Sequence, residues 1–304
     1  MPWVRAHGRS GVIPPSGRHG GDGWAVARAL GIDPAEVVDL SLSLNPFAPD
    51  VGAIAARHLD AIGRYPDGRD ATAALADAMG VDPDRLVLTN GGSEAISLVA
   101  AALGGTVAAE PEFSLHPRGE AGPRWRSNPN NPTGRLASPA ETADVWDEAF
   151  FPLAAGAWTR GDEDAAVVGS LTKLFSCPGL RLGYVLADEA DRLTAAQPTW
   201  PVGGIALAVL PELLAEADLA GWRSRIARRR QELVDVLAAH SIKADAADAP
   251  WVLVHAPGLR ARLAPHGVVV RDCTSFGLPG TVRIAVPDDR GIARLEDALA
   301  CMPS

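Results

Sequence analysis

Short apolar runs typical of buried strands alternate with helical patterns through the first two thirds of this chain. Strands that are separated by helices usually pair in parallel, with the helices covering both faces of the sheet. The alternation therefore predicts an α/β fold with a doubly wound, mostly parallel sheet. In chain order the predicted elements are helix 24–30, strand 37–44, helices 50–62 and 71–79, strand 86–89, helix 92–103, strands 106–109, 165–169 and 183–186, and helical residues 204–239.

The two ends of the chain differ from this pattern. Residues 1–23 are rich in Gly, Pro, Arg and His without apolar periodicity, which predicts an arm or lid. The last segments predict a smaller α+β domain, with strands 251–255, 268–271 and 282–286 and helices 258–263 and 292–300. We therefore predict an N-terminal arm at 1–23, a large domain at 24–214 and a small domain at 215–304, on which residues 24–50 could pack.

Composition restricts the class of protein. The 304 residues are 47% hydrophobic and 21% charged, which suits a large and a small globular domain. The net charge of −9 argues against nucleic acid as a partner, and the arginines at 223–230 are expected on a solvated helix face. Three widely spaced cysteines indicate a reducing compartment and form no metal motif. Because no apolar run approaches the roughly 18 residues of a membrane span, we expect a cytoplasmic protein.

The segment from Ser170 to Tyr184 carries the strongest chemical signal. It holds Lys173 between two apolar runs, after two hydroxyl residues and eight positions before Arg181. A lysine beside buried strands needs a partner or a covalent role, and a Schiff base to an aldehyde cofactor is one such role. Ser170 and Arg181 could then hold a phosphate nearby.

A second anion site is predicted where the strand at 86–89 meets the following helix. The turn contains Gly92 and Ser93, whose backbone N–H groups and hydroxyl would point at a bound phosphate. Ser93 could instead serve only as a helix cap.

Four strings together resemble the fold-type I pyridoxal-phosphate enzymes of the class I and II aminotransferase superfamily. They are the lysine segment 170–184, Pro111–His116, Asn128–Gly134 and Asp147–Phe150. The resemblance implies that Lys173 bonds the cofactor aldehyde and acts as general acid and base. It further implies that the cofactor is contacted by Gly92, Ser93, His116 (stacking on the ring), Asn131 (at the ring hydroxyl), Asp147 (at the pyridine nitrogen), Phe150 (where many relatives have Tyr), Ser170 and Arg181.

Other implied roles concern the substrate and a partner subunit. Tyr65 matches a tyrosine that reaches the cofactor phosphate of the second subunit, which implies a homodimer with shared active sites. Arg283 resembles the arginine that binds the substrate α-carboxylate, and Arg271 is a second candidate. No metal site is expected.

The N-terminal strings His19–Asp22 and Val38–Pro46 resemble the opening of L-threonine-O-3-phosphate decarboxylases, which make aminopropanol phosphate for cobalamin. The resemblance implies an amino-acid phosphate as substrate, with His19 and Asn45 near it, and decarboxylation as the preferred activity. Two alternatives remain open. One is an aminotransferase acting on histidinol phosphate or another amino acid, and the other is a catalytically weak pyridoxal-phosphate-binding paralogue.

Some spacings depart from the family pattern. His116 and Asn128 are 12 positions apart, and Asn131 and Asp147 are 16 apart, which leaves room for one short helix at 138–143. Since a parallel crossover normally takes a dozen or more residues, the large sheet is expected to lack at least one strand. Asp22 and Ser43 replace two asparagines of the decarboxylase opening, which puts phosphate specificity in question.

Overall fold

The structure is a computed structural model that describes residues 12–162 and 164–302. Residues 1–11 of the predicted arm lie outside the described residues. The chain divides into two compact units. The large unit comprises residues 44–227 and 247–250, and the described residues of the small unit are 12–43, 228–246 and 251–302. The predicted boundary was near residue 215, whereas the chain changes unit at Arg228, and residues 12–43 belong to the small unit.

The described residues form the following regular elements. The helices are α1 Gly23–Leu30, α2 Val51–Ala56, α3 Arg69–Met79, α4 Gly92–Leu103, α5 Phe151–Ala155, α6 Leu171–Leu174, α7 Ala190–Ala196, α8 Gly204–Ala215, α9 Leu219–Ala239, α10 Leu259–Leu263 and α11 Asp289–Ala300. The strands are β1 Val38–Leu40, β2 Leu86–Asn90, β3 Thr106–Val107, β4 Arg124–Ser127, β5 Val145–Asp147, β6 Ala166–Gly169, β7 Leu182–Leu186, β8 Ala244–Ala246, β9 Trp251–His255, β10 Val268–Asp272 and β11 Thr281–Ala285.

The large unit is built on a six-stranded sheet in the order β2-β7-β6-β5-β4-β3. Strands β3 to β6 pair in parallel, while β7 pairs antiparallel with both β6 and β2. A core cluster fills the space between this sheet and helices α4 and α7, with Val99, Trp125, Val145 and Leu193 almost fully buried. Burial of such side chains stabilises a fold by about 1.5–3 kcal/mol each. The parallel strands and the helices packed on their sheet confirm the predicted α/β class.

The small unit has a five-stranded sheet in the order β1-β10-β11-β9-β8. β1 joins β10 in parallel, and the remaining pairs are antiparallel. α1 ends where Gly31 adopts a left-handed conformation (φ 70°), and the N–H of Ile32 returns to the carbonyl of Ala27 at 3.1 Å. The N-terminal strand of this sheet thus comes from a segment far from the other four in sequence.

Two predicted elements are corrected by the structure. The predicted helix at 138–143 is wrong: the guanidinium of Arg160 donates to the backbone carbonyls of Ser138, Pro139 and Glu141, which a helix would need for its own bonds. The predicted helix at 50–62 is broken into α2 and a short 3-10 helix, Leu59–Gly63. Strand β4 was not predicted, because its four residues contain two arginines.

Candidate active site

One edge of the large sheet collects most of the polar residues that the sequence indicated. β4, β5 and β6 are parallel, and β2 runs in the same direction because β2 and β6 both pair antiparallel with β7. Their carboxyl ends share the edge at which β7 begins. Ligands of open α/β sheets bind at such an edge. The residues that end or follow these strands, or precede β7, include Gly92, Ser93, Asn131, Asp147, Ser170, Lys173 and Arg181.

Three segments meet tightly at the turn between β2 and α4. Gly91 has a positive φ of 78°, and a Cβ on it would lie 2.6 Å from Nη2 of Arg181. A Cβ on Gly92 would lie 3.3 Å from Cβ of Ser170. Ser93 stands in the first turn of the 12-residue helix α4, where backbone N–H groups attract anions. The guanidinium, the hydroxyls and the N–H groups therefore fit a phosphate group.

Lys173 is half-buried in the one-turn helix α6, directly after the edge of β6. Thr172 ties this helix to the start of β7, since its Oγ1 donates to the carbonyl of Leu182 (3.1 Å) and accepts from its N–H (3.2 Å). The Lys173 Nζ lies 5.9 Å from the centre of the buried Phe150 ring. The predicted lysine and the predicted Asp147–Phe150 motif thus lie at the same end of the sheet.

Asp147 ends β5 and is buried. Its Oδ1 accepts from the N–H of Ala149 at 3.0 Å, and its Oδ2 lies 2.9 Å from Nε2 of His116. The His116 ring packs near Phe113 (centroids 5.8 Å apart) and Trp125 (5.5 Å). Its predicted stacking on a cofactor ring stays a prediction, whereas its bond to Asp147 was not foreseen.

Glu112, which was not predicted as a site residue, is a second buried carboxylate beside His116. Glu112 accepts hydrogen bonds from the N–H and the hydroxyl of Ser127 and from Nδ2 of Asn130 (3.2 Å). Burial lowers the pKa of His116, but hydrogen bonds and charges from Asp147 and Glu112 outweigh it and raise that pKa to about 9. The position of Glu112 within the predicted site segment Pro111–His116 was the sequence signal that could have indicated its role.

The loop after β4 positions Asn131, which is buried. Its N–H donates to the Ser127 hydroxyl at 2.8 Å. Asn130 braces the same loop, because its Nδ2 donates to the carbonyl of Pro111 at 3.0 Å and its Oδ1 accepts from the Thr133 hydroxyl at 2.7 Å. The two asparagines therefore differ in role. Asn130 holds the loop in place, and Asn131 lies at the edge of the sheet.

Tyr65 and Asn45 are two further predicted site residues of the large unit. Tyr65 is 76% exposed and stacks on Trp200, with ring centroids 4.1 Å apart. Asn45 is buried and hydrogen-bonded to backbone groups: its Nδ2 donates to the carbonyl of Leu174, and its Oδ1 accepts from the N–H of Phe47. Its predicted contact with substrate stays a prediction.

Two buried arginines lie side by side in the small unit's sheet, since Arg271 of β10 is the register partner of Arg283 of the neighbouring strand β11. Arg283 lies over the Trp251 ring (4.8 Å), and burial lowers its pKa to about 10. Arg271 donates to the carbonyls of Gly17 (2.7 Å) and Arg18. Burial also lowers the pKa of Arg271.

His19 belongs to the same part of the small unit. Burial, followed by the positive charges of Arg271 and Arg18, lowers its pKa. The adjacent glycines are held as well, because the N–H of Gly21 donates to the Ser41 hydroxyl at 2.8 Å. The predicted substrate residues His19, Arg271 and Arg283 therefore belong to the small unit.

Comparison with known proteins identifies the class. The family model for aminotransferase class I and II matches residues 125–299, more than half of the chain. The chain therefore belongs to the class I and II aminotransferase family. This confirms the predicted resemblance to fold-type I pyridoxal-phosphate enzymes, and the hydroxyls, guanidinium, amine and carboxylate at the sheet edge fit pyridoxal phosphate as cofactor.

Relatives in sequence cover nearly the whole chain. The histidinol-phosphate aminotransferase 1 of Thiobacillus denitrificans is 29% identical over 90% of this chain and 87% of that protein. The histidinol-phosphate aminotransferase of Halobacterium salinarum is 30% identical over 86% of this chain and 89% of that protein. The Thiobacillus alignment spans 336 positions while using 90% of 304 residues, so that protein has segments without a counterpart here.

Solved structures share the fold. The histidinol-phosphate aminotransferase of Sinorhizobium meliloti, in complex with pyridoxal-5′-phosphate, has a TM-score of 0.76 at 18% identity, covering 91% of this chain and 93% of that one. The L-threonine-O-3-phosphate decarboxylase of Porphyromonas gingivalis has a TM-score of 0.72 at 21% identity, covering 86% and 98%. Among the described residues, the structure contains no helix long and apolar enough to span a bilayer.

Proposed function

We propose that this protein is a pyridoxal-phosphate-dependent aminotransferase whose substrate is an amino compound bearing a phosphate group. The observation that carries the proposal is the gathering of Lys173, Asp147 and the Ser170–Arg181 phosphate cradle at one edge of the large sheet. The sequence favoured decarboxylation instead. Because the relatives that cover nearly the whole chain are named histidinol-phosphate aminotransferases, we place amino-group transfer first.

Each group at the edge has a proposed task. Pyridoxal phosphate supplies an aldehyde and an electron-withdrawing ring when it is bound. Lys173 holds the aldehyde through its Nζ and, once released, moves the proton at the substrate Cα. Asp147 keeps the pyridine nitrogen protonated, because an adjacent carboxylate favours the charged ring. Asn131 donates to the ring hydroxyl. The phosphate is bound by Gly92, Ser93, Ser170 and Arg181.

The two arginines of the small-unit sheet are proposed to recognise acid groups of the substrates. A guanidinium binds carboxylate or phosphate through paired hydrogen bonds. Arg283 is assigned to the carboxylate of the amino donor. Arg271 already donates to two backbone carbonyls, and its contribution to the substrate phosphate would come from its charge.

A second candidate function, decarboxylation of L-threonine O-3-phosphate, rests on one observation in the small unit. The segment from Gly17 to Gly21 is fixed by Arg271 and Ser41, which keeps His19 next to a cationic group that a substrate phosphate could use. The choice between the two reactions depends on which Cα bond is held perpendicular to the cofactor ring. Binding of the carboxylate in that direction would favour loss of CO2.

The protein is also proposed to act as a homodimer that shares its sites. Several large apolar side chains of the large unit are exposed, among them Leu59, Ile62 and the stacked pair Tyr65 and Trp200, which are 55%, 70%, 76% and 52% exposed. If Tyr65 serves the partner's cofactor phosphate, mixed dimers of Lys173→Ala and Tyr65→Ala subunits regain one intact site. Activity above that of either inactive variant alone supports shared sites, and no gain after subunit exchange contradicts them.

The covalent role of Lys173 has a sharp test, because the chain contains two lysines, Lys173 and the exposed Lys243. Protein mixed with pyridoxal phosphate is reduced with borohydride and digested for mass spectrometry. The added mass is expected on the Lys173 peptide. It should persist in Lys243→Ala and vanish in Lys173→Ala. A label on Lys243, or none in the wild type, would overturn the proposal.

Two assays on the loaded protein then separate the reactions. Histidinol phosphate with 2-oxoglutarate should yield glutamate, whereas L-threonine O-3-phosphate should release CO2 if the second candidate holds. Labelling of Lys173 without turnover on either substrate would favour the weak cofactor-binding paralogue over both reactions.

A further inference from the structure

A buried histidine stands between two buried carboxylates behind the proposed cofactor site. Nε2 of His116 lies 2.9 Å from Oδ2 of Asp147, and its Nδ1 lies 3.5 Å from Oε2 of Glu112. The His116 and Glu112 side chains are almost completely shielded from water, and that of Asp147 is 8% exposed. The three groups come from the sheet edge and from the segment 112–116.

The two sides of the imidazole are not equivalent. The Nε2 contact with Asp147 is a normal hydrogen bond, whereas the contact of Nδ1 with Glu112 is longer, at 3.5 Å, and its geometry is poorer. A neutral imidazole could carry its single proton on either nitrogen. Only the doubly protonated form guarantees an N–H toward Asp147, and a nearby negative charge must hold the second proton on Nδ1.

The hydrogen bonds that Glu112 accepts suit it to supply that negative charge. It accepts from the N–H and hydroxyl of Ser127 and from Nδ2 of Asn130, and such donors stabilise an ionised carboxylate. Two further charged groups near His116, Arg118 and Glu110, pair with each other. Arg118 donates to the His116 carbonyl, and its guanidinium pairs with Glu110 at 2.7 Å.

We propose that Glu112 is a positioning residue that keeps His116 doubly protonated, so that the His116 N–H fixes the carboxylate of Asp147 toward the cofactor nitrogen. The inference deepens the proposed function and rests on it, because Asp147 is assigned to the cofactor nitrogen only in that proposal. The arrangement of Glu112, His116 and Asp147 is a property of the protein without cofactor. It can therefore be tested independently of turnover.

The first readout is the protonation of His116 in the protein without cofactor, followed by ¹⁵N NMR of labelled histidines. The His116 signal is assigned by its loss in His116→Gln. In the wild type it should stay doubly protonated up to about pH 9. In Glu112→Gln the midpoint should fall by at least one pH unit, a tenfold loss of proton affinity. The exposed Glu120→Gln is the matched control and should leave the midpoint in place.

Two outcomes overturn the proposal: a Glu112→Gln midpoint equal to that of the control, or a wild-type His116 that titrates near pH 6.5. If Glu112→Gln does not fold, Glu112→Asp replaces it. That variant keeps the carboxylate charge but shortens the side chain by one methylene and so moves the charge away from Nδ1, and a smaller fall of the midpoint is expected. An unchanged midpoint in Glu112→Asp would then count against the proposal.

The second readout is the affinity for pyridoxal phosphate, measured by titration of the protein without substrate. Glu112→Gln should weaken binding about tenfold above pH 7, where its His116 loses a proton, and little below pH 6. A merely structural role of Glu112 would weaken binding equally at both pH values. A failure of the cofactor to bind the wild type would instead refute the proposed function, while the NMR result would still decide the role of Glu112.

Discussion

Asn45 donates its backbone N–H to the carbonyl of Lys173 at 3.1 Å and its side-chain Nδ2 to the carbonyl of Leu174 at 3.0 Å. The last carbonyls of a helix have no partner within it. Helix α6 is a single turn, so these two bonds from a distant loop fix the end of the helix that carries the proposed catalytic lysine. Asn45 is thus a support for Lys173 within the large unit.

Replacement of Asn45 by Ala should lower the free energy of unfolding by about 1–3 kcal/mol, because the buried carbonyl of Leu174 is left without a donor. Chemical denaturation measures this loss. Labelling of Lys173 by pyridoxal phosphate should also slow. Asn45→Asp retains the acceptor for the Phe47 N–H but places a carboxylate oxygen against the carbonyl, so we expect at least equal destabilisation. A near-neutral effect of both variants would contradict a supporting role.

Gly183 is where β7 passes close to the turn between β2 and α4, the proposed phosphate site. A Cβ at this position would lie 2.5 Å from the carbonyl carbon of Gly91 and 2.6 Å from the N of Gly92. Gly183→Ala should therefore displace the turn, cost about 1–3 kcal/mol of stability and weaken binding of pyridoxal phosphate. Gly179→Ala is the matched control, since nothing lies within 4 Å of its Cβ. Its effect should stay within about 0.5 kcal/mol. Equal effects of the two variants in denaturation and cofactor titration would refute this account.

Much of the large-unit sheet could be predicted, because its buried strands are continuous apolar runs. β6 and β7 are fully buried, and their sequences contain no charge. β4 could not be predicted in the same way. Two of its four residues are arginines, one exposed and one half-buried, and Trp125 is the residue that β4 contributes to the apolar core. The helix predicted at 138–143 does not form because of a tertiary contact, in which Arg160 donates hydrogen bonds to backbone carbonyls of that segment.

The site residues likewise divide into those that a sequence motif identifies and those whose role depends on tertiary contacts. Lys173 and Asp147 could be predicted from motifs that are contiguous in sequence. The hydrogen bond between His116 and Asp147 joins residues 31 positions apart, and the role of Glu112 depends on donors from Ser127 and Asn130. A motif gives the residue types of these positions but not which pairs are brought together. Such contacts depend on the parallel pairing of β4 with β5.

Arg271 should hold the N-terminal segment of the small unit. It donates to the carbonyls of Gly17 and Arg18, and the exposed Arg18 is a trypsin site. Arg271→Met removes these donors, so trypsin should cut after Arg18 several-fold faster than in the wild type. Arg262→Met, at an exposed position of the same unit, should leave the rate unchanged. Circular dichroism verifies that both variants are folded. Unaltered cleavage in Arg271→Met would show that the segment is held by other contacts.

Glu148 should make the stability of the protein depend on pH near neutrality. Burial raises the pKa of this carboxyl to about 7, although hydrogen bonds from Thr159 and the Arg160 N–H lower it. The folded state therefore binds a proton more tightly than the unfolded state, whose pKa is near 4.5. The stabilising contribution is complete below pH 4.5 and is lost as the pH rises through 7.

Glu148→Gln removes this titration and isolates its effect. The wild type should lose about 1–3 kcal/mol of unfolding free energy relative to Glu148→Gln between pH 5 and pH 8, as measured by urea denaturation. Glu141→Gln is the control: hydrogen bonds from Ser138 and Arg126 lower the pKa of Glu141 to about 2, so its carboxyl is ionised throughout this range. The difference between the wild type and Glu141→Gln should stay constant. A constant difference for Glu148→Gln as well would show that the Glu148 carboxyl does not titrate near neutral pH.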